Sequence, residues 1–453
     1  LEREGKSRPM AQQSFDLPHL ETPSGDGREI AIVLKALMPG DPSLHVGSVD
    51  PVGEITALAD TAGVRIAGQV IQKRNRPHPG TYVGKGKLQE LAELADQLQA
   101  TLIIVDDPIS PGQGRNIEEQ TEMRIVDRAE LIMDIFARNA RSHQAKLQVE
   151  LAQLQYSQSR LTRMWTHLSR MEGGSVGTRG PGETQLETDR RIVRRKISVL
   201  KDRLSEIEKQ AHTQHKSREG SFRIALVGYT NAGKSTMLNR LTGADVLIED
   251  KLFSTLDTST RKWPLDLPFD VLLSDTVGFI RKLPHGLVAS FHATLMEANE
   301  ADLLLHIVDA SSPTIEFDME SVERTLTRIG CESHQKLVLF NKMDRVKDDQ
   351  RIDLQHLLAE QEDSFAISAT EGTGIELVVE KILEIGRQRQ ESGEYKLPHS
   401  RSDLAAKLHD VALVDHEEFL DDGIVIEARF DPGQKARWES TLRKAGLLPP
   451  ITD

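Results

Sequence analysis

Phe222 to Thr236 read FRIALVGYTNAGKST. The apolar run FRIALVG has the length and composition of a buried strand and ends in glycine. Gly228, Gly233, Lys234 and Ser235 then fall on the phosphate-loop pattern at the strand-to-helix turn it requires. At ordinary composition those four positions would coincide by chance about 0.02 times in a chain of this length, so coincidence explains the run poorly. Glycines let the backbone N–H groups of Gly228, Tyr229, Thr230, Asn231, Ala232 and Gly233 converge on phosphate oxygens, and the helix N-terminus adds a favourable dipole. Lys234 supplies a point positive charge to the terminal phosphates, and the Ser235 hydroxyl is a ligand for Mg²⁺.

Downstream, VLLSDTVG, DLLLHIVDA, KLVLFNKMD and SFAISA are short strand-like runs alternating with amphipathic helices. That alternation predicts a doubly wound, mostly parallel sheet over residues 219 to 391 with helices on both faces. Asp275, Thr276, Val277 and Gly278 end the second of these strands: Asp275 can hold the magnesium through water, and the Gly278 N–H can meet the terminal phosphate. The strand KLVLF leads into Asn341, Lys342, Met343 and Asp344. A carboxylate there accepts two N–H bonds from guanine N1 and N2, a donor pair adenine lacks, so the base is specified as guanine. Buried polar pairing of this kind rejects the wrong partner by roughly 10⁴–10⁵. Asn341 is expected on the base's other edge, the Lys342 stem against its face, and Ile367, Ser368 and Ala369 near its carbonyl.

Upstream, residues 142 to 215 carry two helical stripes of alternating three and four spacing. Leu147, Leu151, Leu154, Leu161, Trp165 and Leu168 form one, and Val193, Ile197, Leu200, Leu204 and Ile207 the other. They predict an antiparallel hairpin, its second helix resuming at Thr184, around the glycine-rich tip Gly173 to Glu183, which includes Arg179. From Ser142 to Arg218 there are 15 Lys and Arg against 8 Asp and Glu, a net +7 that leaves −20 on the rest of a chain of net charge −13. Arg190, Arg191, Arg194, Arg195 and Lys196 are the densest cluster. Residues 30 to 141 read as a small α/β domain, with strands IAIVLKAL, VRIAGQVI and TLIIVDD and a helix at LQELAELADQLQA. Residues 1 to 29 read as a flexible segment, of which residues 1 to 9, before the first methionine, carry no weight. Past Glu391, ESGEYKLPHSRSD reads as a linker into a small α+β domain at 392 to 453.

A length of 453 residues gives a prior of two to four domains, and 38% hydrophobic with 28% charged residues excludes wholesale disorder. A single cysteine, Cys331, rules out an internal disulfide framework and fits a reducing compartment. No apolar run is long enough to span a bilayer, and no signal sequence is evident, so stable membrane insertion is not expected. The histidines and Cys331 show no metal-ligand spacing.

The four nucleotide elements, in this order, resemble the translation-factor-like GTPases. TYVGKGKLQELAE at Thr81 to Glu93, GGSVGTRGPGETQLE at Gly173 to Glu187, and LFSTLDTSTR ahead of DTVGFIRKLP narrow the resemblance to the HflX family of ribosome-associated GTPases. It spans nearly all of residues 30 to 390. The resemblance implies a P-loop GTPase that uses GTP, GDP and Mg²⁺. Its first switch would comprise Phe253, Ser254, Thr255, Leu256 and Asp257, with Thr255 the second protein ligand to Mg²⁺. Thr258 stands where the family often has proline, and Thr258 or Thr260 competes for that role. Lys234, Thr255 and Gly278 are the candidate catalytic residues.

Many related GTPases place Gln or His after the second-switch glycine to orient the attacking water, whereas Phe279 follows Gly278 here. Slow hydrolysis accelerated by a partner is expected, unless Phe279 merely packs and another group orients the water. The resemblance further implies binding to the large ribosomal subunit and its rRNA, and dissociation or rescue of ribosomes under stress such as heat; Arg179 and the arginine cluster offer the phosphate-neutralising surface for that contact. A cytoplasmic monomer, with peripheral membrane association as a variant, fits this reading. Two others stand beside it: a GTP-dependent scaffold whose hairpin regulates a partner such as a membrane protease, and an N-terminal domain that holds its own ATP.

Overall fold

The structure, a computed structural model, describes residues 28–44, 49–164, 181–216, 221–243, 252–253, 255–256, 259–267, 269–282, 297–430 and 433–448. The chain separates into two compact units: Leu1–Met38, Glu54–Asp134 and Ser159–Glu172 in one, and Pro39–Gly53, Ile135–Gln158 and Gly173–Asp453 in the other.

In the first unit, β1 (Ile30–Leu37), α1 (Gly53–Thr61), β2 (Arg65–Lys73), α2 (Lys85–Leu98), β3 (Leu102–Val105), α3 (Pro111–Thr121) and β4 (Arg124–Asp127) alternate along the chain. The strands form a parallel sheet in the order β2-β1-β3-β4. Its apolar strands are buried, as parallel strands covered by crossover helices must be. Ile32, Leu34, Ile103 and Val105 pack in one cluster with Leu88 and Leu91. Beyond the three strands and one helix expected from sequence, the structure adds α1, α3 and β4, with α3 started by a Ser110–Gln113 capping box with Pro111 in its first turn. At the carboxyl ends of β1 and β3, Lys35 Nζ lies 2.9 Å from Asp106 and Arg128 Nη1 2.6 Å from its other oxygen, all three side chains buried. The Tyr82 hydroxyl donates to Asp107.

Helix α4 (Arg128–Asn139) leads into α5 (His143–Met164), and α6 (Pro181–Lys216) follows. The structure begins α6 three residues before Thr184, since proline is tolerated in a first helical turn. Leu147, Leu151 and Leu154 on α5 and Val193, Ile197, Leu200 and Leu204 on α6 are buried, while Arg191, Arg194 and Arg195 are exposed. Arg190 and Lys196 are half-buried. Arg179 and most of the glycine-rich tip lie outside the described residues, as do the side chains of Leu161, Trp165 and Leu168.

The second sheet comprises β5 (Phe222–Gly228), β6 (Ser259–Trp263), β7 (Val271–Asp275), β8 (Leu303–Asp309), β9 (Lys336–Asn341) and β10 (Ser364–Ala366). Its order is β10-β9-β8-β5-β7-β6, and every pair is parallel except β6 with β7. Ile224 and Leu226 face a core shared with Met237 and Leu238 of α7 (Lys234–Thr242) and Val378 and Ile382 of α10 (Ile375–Gln388). Ala225 and Val227 point the other way, towards Val322 and Leu326 of α8 (Ile315–Arg328). Helix α9 (Arg351–Glu360) joins the outer strands. The chain leaves β5 for β7 on one side and β8 on the other, so the end of β5 is a topological switch point, where open α/β sheets bind ligands.

At the carboxyl end, β11 (Glu391–Leu397), α11 (Ser402–Val411), β12 (Leu413–Leu420), β13 (Gly423–Phe430) and α12 (Gln434–Lys444) make an antiparallel sheet of order β11-β13-β12 with two helices. The stretch expected to be a linker is therefore largely β11. Tyr395 and Leu397 alternate into the core while Glu394 and Lys396 stay exposed, and that two-residue period holds the strand in place.

Candidate nucleotide site

The turn after β5 holds its shape through its neighbours as much as through its own sequence. Lys234, the first residue of α7, is buried, and its Nζ donates to the carbonyls of Tyr229 at 2.9 Å and Gly228 at 3.3 Å. Burial pulls its ammonium down to about 8, against an opposing pull from Asp275. An incoming polyphosphate would stabilise the charge that burial disfavours. Gly233 has φ +100°, and a Cβ there would come within 2.3 Å of Asn341 Nδ2, so only glycine fits. Ala232 is fully buried, and Asn231 takes a left-handed conformation.

Ser235, Thr255 and Asp275 converge. The Ser235 hydroxyl donates to Asp275 Oδ2 at 2.6 Å, and its oxygen lies 2.9 Å from Thr255 Oγ1. Since the serine proton is committed to the carboxylate, the threonine hydroxyl is the donor in that second contact. Burial raises the Asp275 carboxyl above the usual carboxylate range, with Lys234 and the Ser235 hydroxyl opposing. Asp275 Oδ1 is buried with no hydrogen-bond partner among the described residues. Two hydroxyls and a carboxylate with an unspent oxygen form the hard donor set that suits Mg²⁺. Of the competing threonines, Thr260 is held elsewhere, 3.0 Å from Ser274 Oγ. Thr258, with Ser254 and Asp257, lies outside the described residues.

Thr230 joins the two segments expected as switches to the turn. Its N–H donates to the Phe279 carbonyl at 2.7 Å, and its Oγ1 accepts the Phe253 N–H at 2.9 Å. A Cβ on Gly278 would stand 2.8 Å from Thr230 Cα and 3.0 Å from Lys234 Nζ, so the second switch approaches as closely as backbone allows. Thr276 is tied to β5 through its hydroxyl and the Leu226 carbonyl at 2.7 Å. Val277 and Leu256 are buried. Phe279 is buried in the cluster of Ala225, Val227 and Val322, which gives it a packing role.

At the far end of the turn, Asn341 Nδ2 donates to the Ala232 carbonyl at 2.9 Å, and Asn341 Oδ1 accepts the Ala369 N–H at 2.9 Å. Asn341 thus ties the turn after β5 to the loop after β10, a role its spacing did not show. Each amide atom keeps a second hydrogen-bonding position. Lys342, in a left-handed conformation, places Nζ 2.8 Å from Asp309. The Ser368 hydroxyl donates to Asp344 Oδ1 at 2.7 Å, and Met343 N–H donates to the buried Ile367 carbonyl at 3.2 Å. Arg240 adds a link with no local signal in its spacing: its Nε donates to the Ala369 carbonyl at 2.9 Å.

The turn after β5, the Ser235–Thr255–Asp275 cluster and the Asp344 carboxylate braced by Ser368 therefore lie around the carboxyl ends of the strands of one sheet. Residues 50–137 match the family model described as GTP-binding GTPase N-terminal, 139–218 its Middle Region, and 223–342 the model described as 50S ribosome-binding GTPase. A protein of Lacrimispora saccharolytica named GTPase HflX is 40% identical over 402 residues, 88% of this chain and 93% of its own length. The chain belongs to the GTPase HflX family. The GTPase HflX of Escherichia coli is 40% identical over 380 residues, covering 83% of this chain and 88% of its own. Among solved structures, a GTP-binding protein of Sulfolobus solfataricus in complex with GDP aligns over 80% of this chain and 99% of its own, at 25% identity and a TM-score of 0.40. As a member of the family, the chain is a GTP-hydrolysing enzyme that uses GTP, GDP and Mg²⁺.

Proposed function

We propose that this GTPase binds the large ribosomal subunit through its basic helical arm and that GTP favours the bound state while hydrolysis releases it. The observation that carries the reading is the exposed set Arg191, Arg194 and Arg195 on α6, opposite the buried Val193, Ile197 and Leu200, in a chain whose GTPase module matches a model described as 50S ribosome-binding. Guanidinium groups on a surface held by an apolar seam suit rRNA phosphates, giving salt-dependent, shape-led binding. Dissociation or rescue of ribosomes under stress, by a cytoplasmic monomer, is the cellular role this implies. No described helix is long and apolar enough to cross a membrane. No observation favours the scaffold reading over this one.

At the nucleotide, Lys234 and the N–H groups of the turn carry the phosphate charge, and Gly278 N–H meets the terminal phosphate. Asp344 pairs with the guanine N1 and N2 donors, with Ser368 holding its carboxylate in place. Ser235 and Thr255 would hold Mg²⁺, which offsets charge on the terminal phosphates when bound. Phe279 offers the attacking water no hydrogen bond, so hydrolysis is slow alone and rises when the ribosome orders the switches. Changing Arg191, Arg194 and Arg195 together to Glu tests the reading. Co-sedimentation with purified large subunits and subunit-stimulated turnover should both fall, with GTP affinity unchanged. Undiminished co-sedimentation would reject the arm as the contact.

A further inference from the structure

The first switch is gripped from outside the GTPase sheet. Phe253 is buried, has φ +58° and gives its N–H to Thr230. Its carbonyl accepts a hydrogen bond from Asn139 Nδ2 at 2.8 Å, across 114 residues of chain. Its ring meets Phe136 edge-on, with centroids 4.7 Å apart at an interplanar angle of 85°. Phe136 and Asn139 lie in the last turn of α4, and the Ala140 N–H closes that turn on the Phe136 carbonyl at 2.9 Å. Three residues beyond Asn139, the Ser142 hydroxyl accepts the Ala145 N–H at 3.0 Å and caps α5, the first helix of the arm. Two residues beyond Phe253, Thr255 rests against Ser235.

We infer that Asn139 and Phe136 are positioning residues for GTP hydrolysis: by holding both the backbone and the ring of Phe253, the α4–α5 elbow keeps Thr255 at the Ser235–Asp275 cluster. A left-handed phenylalanine is a costly conformation, and such residues persist where their surroundings over-determine them. Here three contacts do so: a donor to the carbonyl, an acceptor for the N–H, and an aromatic partner for the ring. Loss of one biases the switch towards release, which removes Thr255 from the hydrolytic arrangement without touching the phosphate turn. The elbow that carries the arm is thereby the element through which movement of the arm reaches the nucleotide. This inference rests on the nucleotide site being the GTP-hydrolysing centre.

The test compares steady-state GTP hydrolysis by the full chain and by Asn139→Ala, Asn139→Asp and Phe136→Leu variants, alongside GDP affinity and melting temperature. The Asn139→Ala variant should lose about 5- to 10-fold in kcat, the worth of one neutral hydrogen bond at about 1.4 kcal/mol per tenfold. KM for GTP and GDP affinity should stay within about twofold. The Asn139→Asp variant matches the shape but sets a carboxylate oxygen against the Phe253 carbonyl, and should be at least as slow. The Phe136→Leu variant should lose kcat in the same pattern. An unchanged kcat in all three, or a kcat loss matched by an equal loss of GDP affinity and of thermal stability, would overturn the inference. If the nucleotide reading itself were wrong, the unaltered chain would fail to hydrolyse GTP, and the inference would fall with it.

Discussion

Replacing Thr230 by valine keeps its shape and its backbone bond to Phe279 but removes the oxygen that accepts the Phe253 N–H at 2.9 Å. Phe253 is 2% exposed, so its N–H would be left buried and unpaired while the first switch stays closed. Such a group costs about 1–3 kcal/mol, and opening of the switch to water would relieve it. At about 1.4 kcal/mol per tenfold, the closed population that positions Thr255 should fall by about 5- to 150-fold. Single-turnover hydrolysis at saturating GTP and Mg²⁺ reads that population, and displacement of fluorescent GDP reads the phosphate turn separately. Hydrolysis should drop within that range while GDP affinity moves less than about threefold, and Thr230→Ser, which keeps the hydroxyl, should stay close to the unaltered protein. A valine variant as fast as the unaltered protein, or a serine variant as slow as valine, would show that the Thr230 hydroxyl does not hold the Phe253 segment.

At the base end, Asp344→Ala removes two charge-assisted hydrogen bonds worth about 1.5–3 kcal/mol each, so GDP affinity should fall by about 10²–10⁴-fold with ADP binding unaffected. Competition binding would contradict this if guanine preference survived. In the first unit, burial raises the Glu130 carboxyl from 4.5 to about 7, while Arg160 opposes. The native state therefore holds a proton that the unfolded chain has released, so that stability is present below about 4.5 and is lost as pH rises to about 7, by at most about 3 kcal/mol. Melting temperatures from pH 5 to 8 should decline in the unaltered chain and flatten in Glu130→Gln; parallel curves would remove Glu130 as the cause. On the arm, each of Arg191, Arg194 and Arg195 changed singly should reduce the salt slope of large-subunit binding by about one, and an unchanged slope would exclude a phosphate contact at that position.

The glycine spacing of the phosphate turn, the apolar runs of β5, β8 and β9 and the stripes on α5 and α6 were legible because each is a local pattern with its own period. Strand β11 was not, since Pro398 and the polar residues around it masked the alternation of Tyr395 and Leu397 that only packing against β13 makes decisive. Thr255 is placed by resemblance, yet Thr260 is set apart from it by tertiary contacts alone, with Ser274 across β6 and β7 and with Glu297. The grip of Asn139 and Phe136 on Phe253 left no trace in the chain. An asparagine and a phenylalanine at a helix end are ordinary, and their meaning comes from a partner 114 residues away. The place of Asn341 before Lys342 marks it as a base-site candidate, but its bond to Ala232 belongs to the tertiary fold.

In the proposed cycle the guanine nucleotide sets the affinity of this chain for the large ribosomal subunit. Sedimentation of the full chain with purified large subunits, at one fixed salt concentration, should show at least about tenfold tighter binding with a non-hydrolysable GTP analogue than with GDP, equivalent to about 1.4 kcal/mol of coupling. Equal binding in the two nucleotides, or none in either, would contradict it.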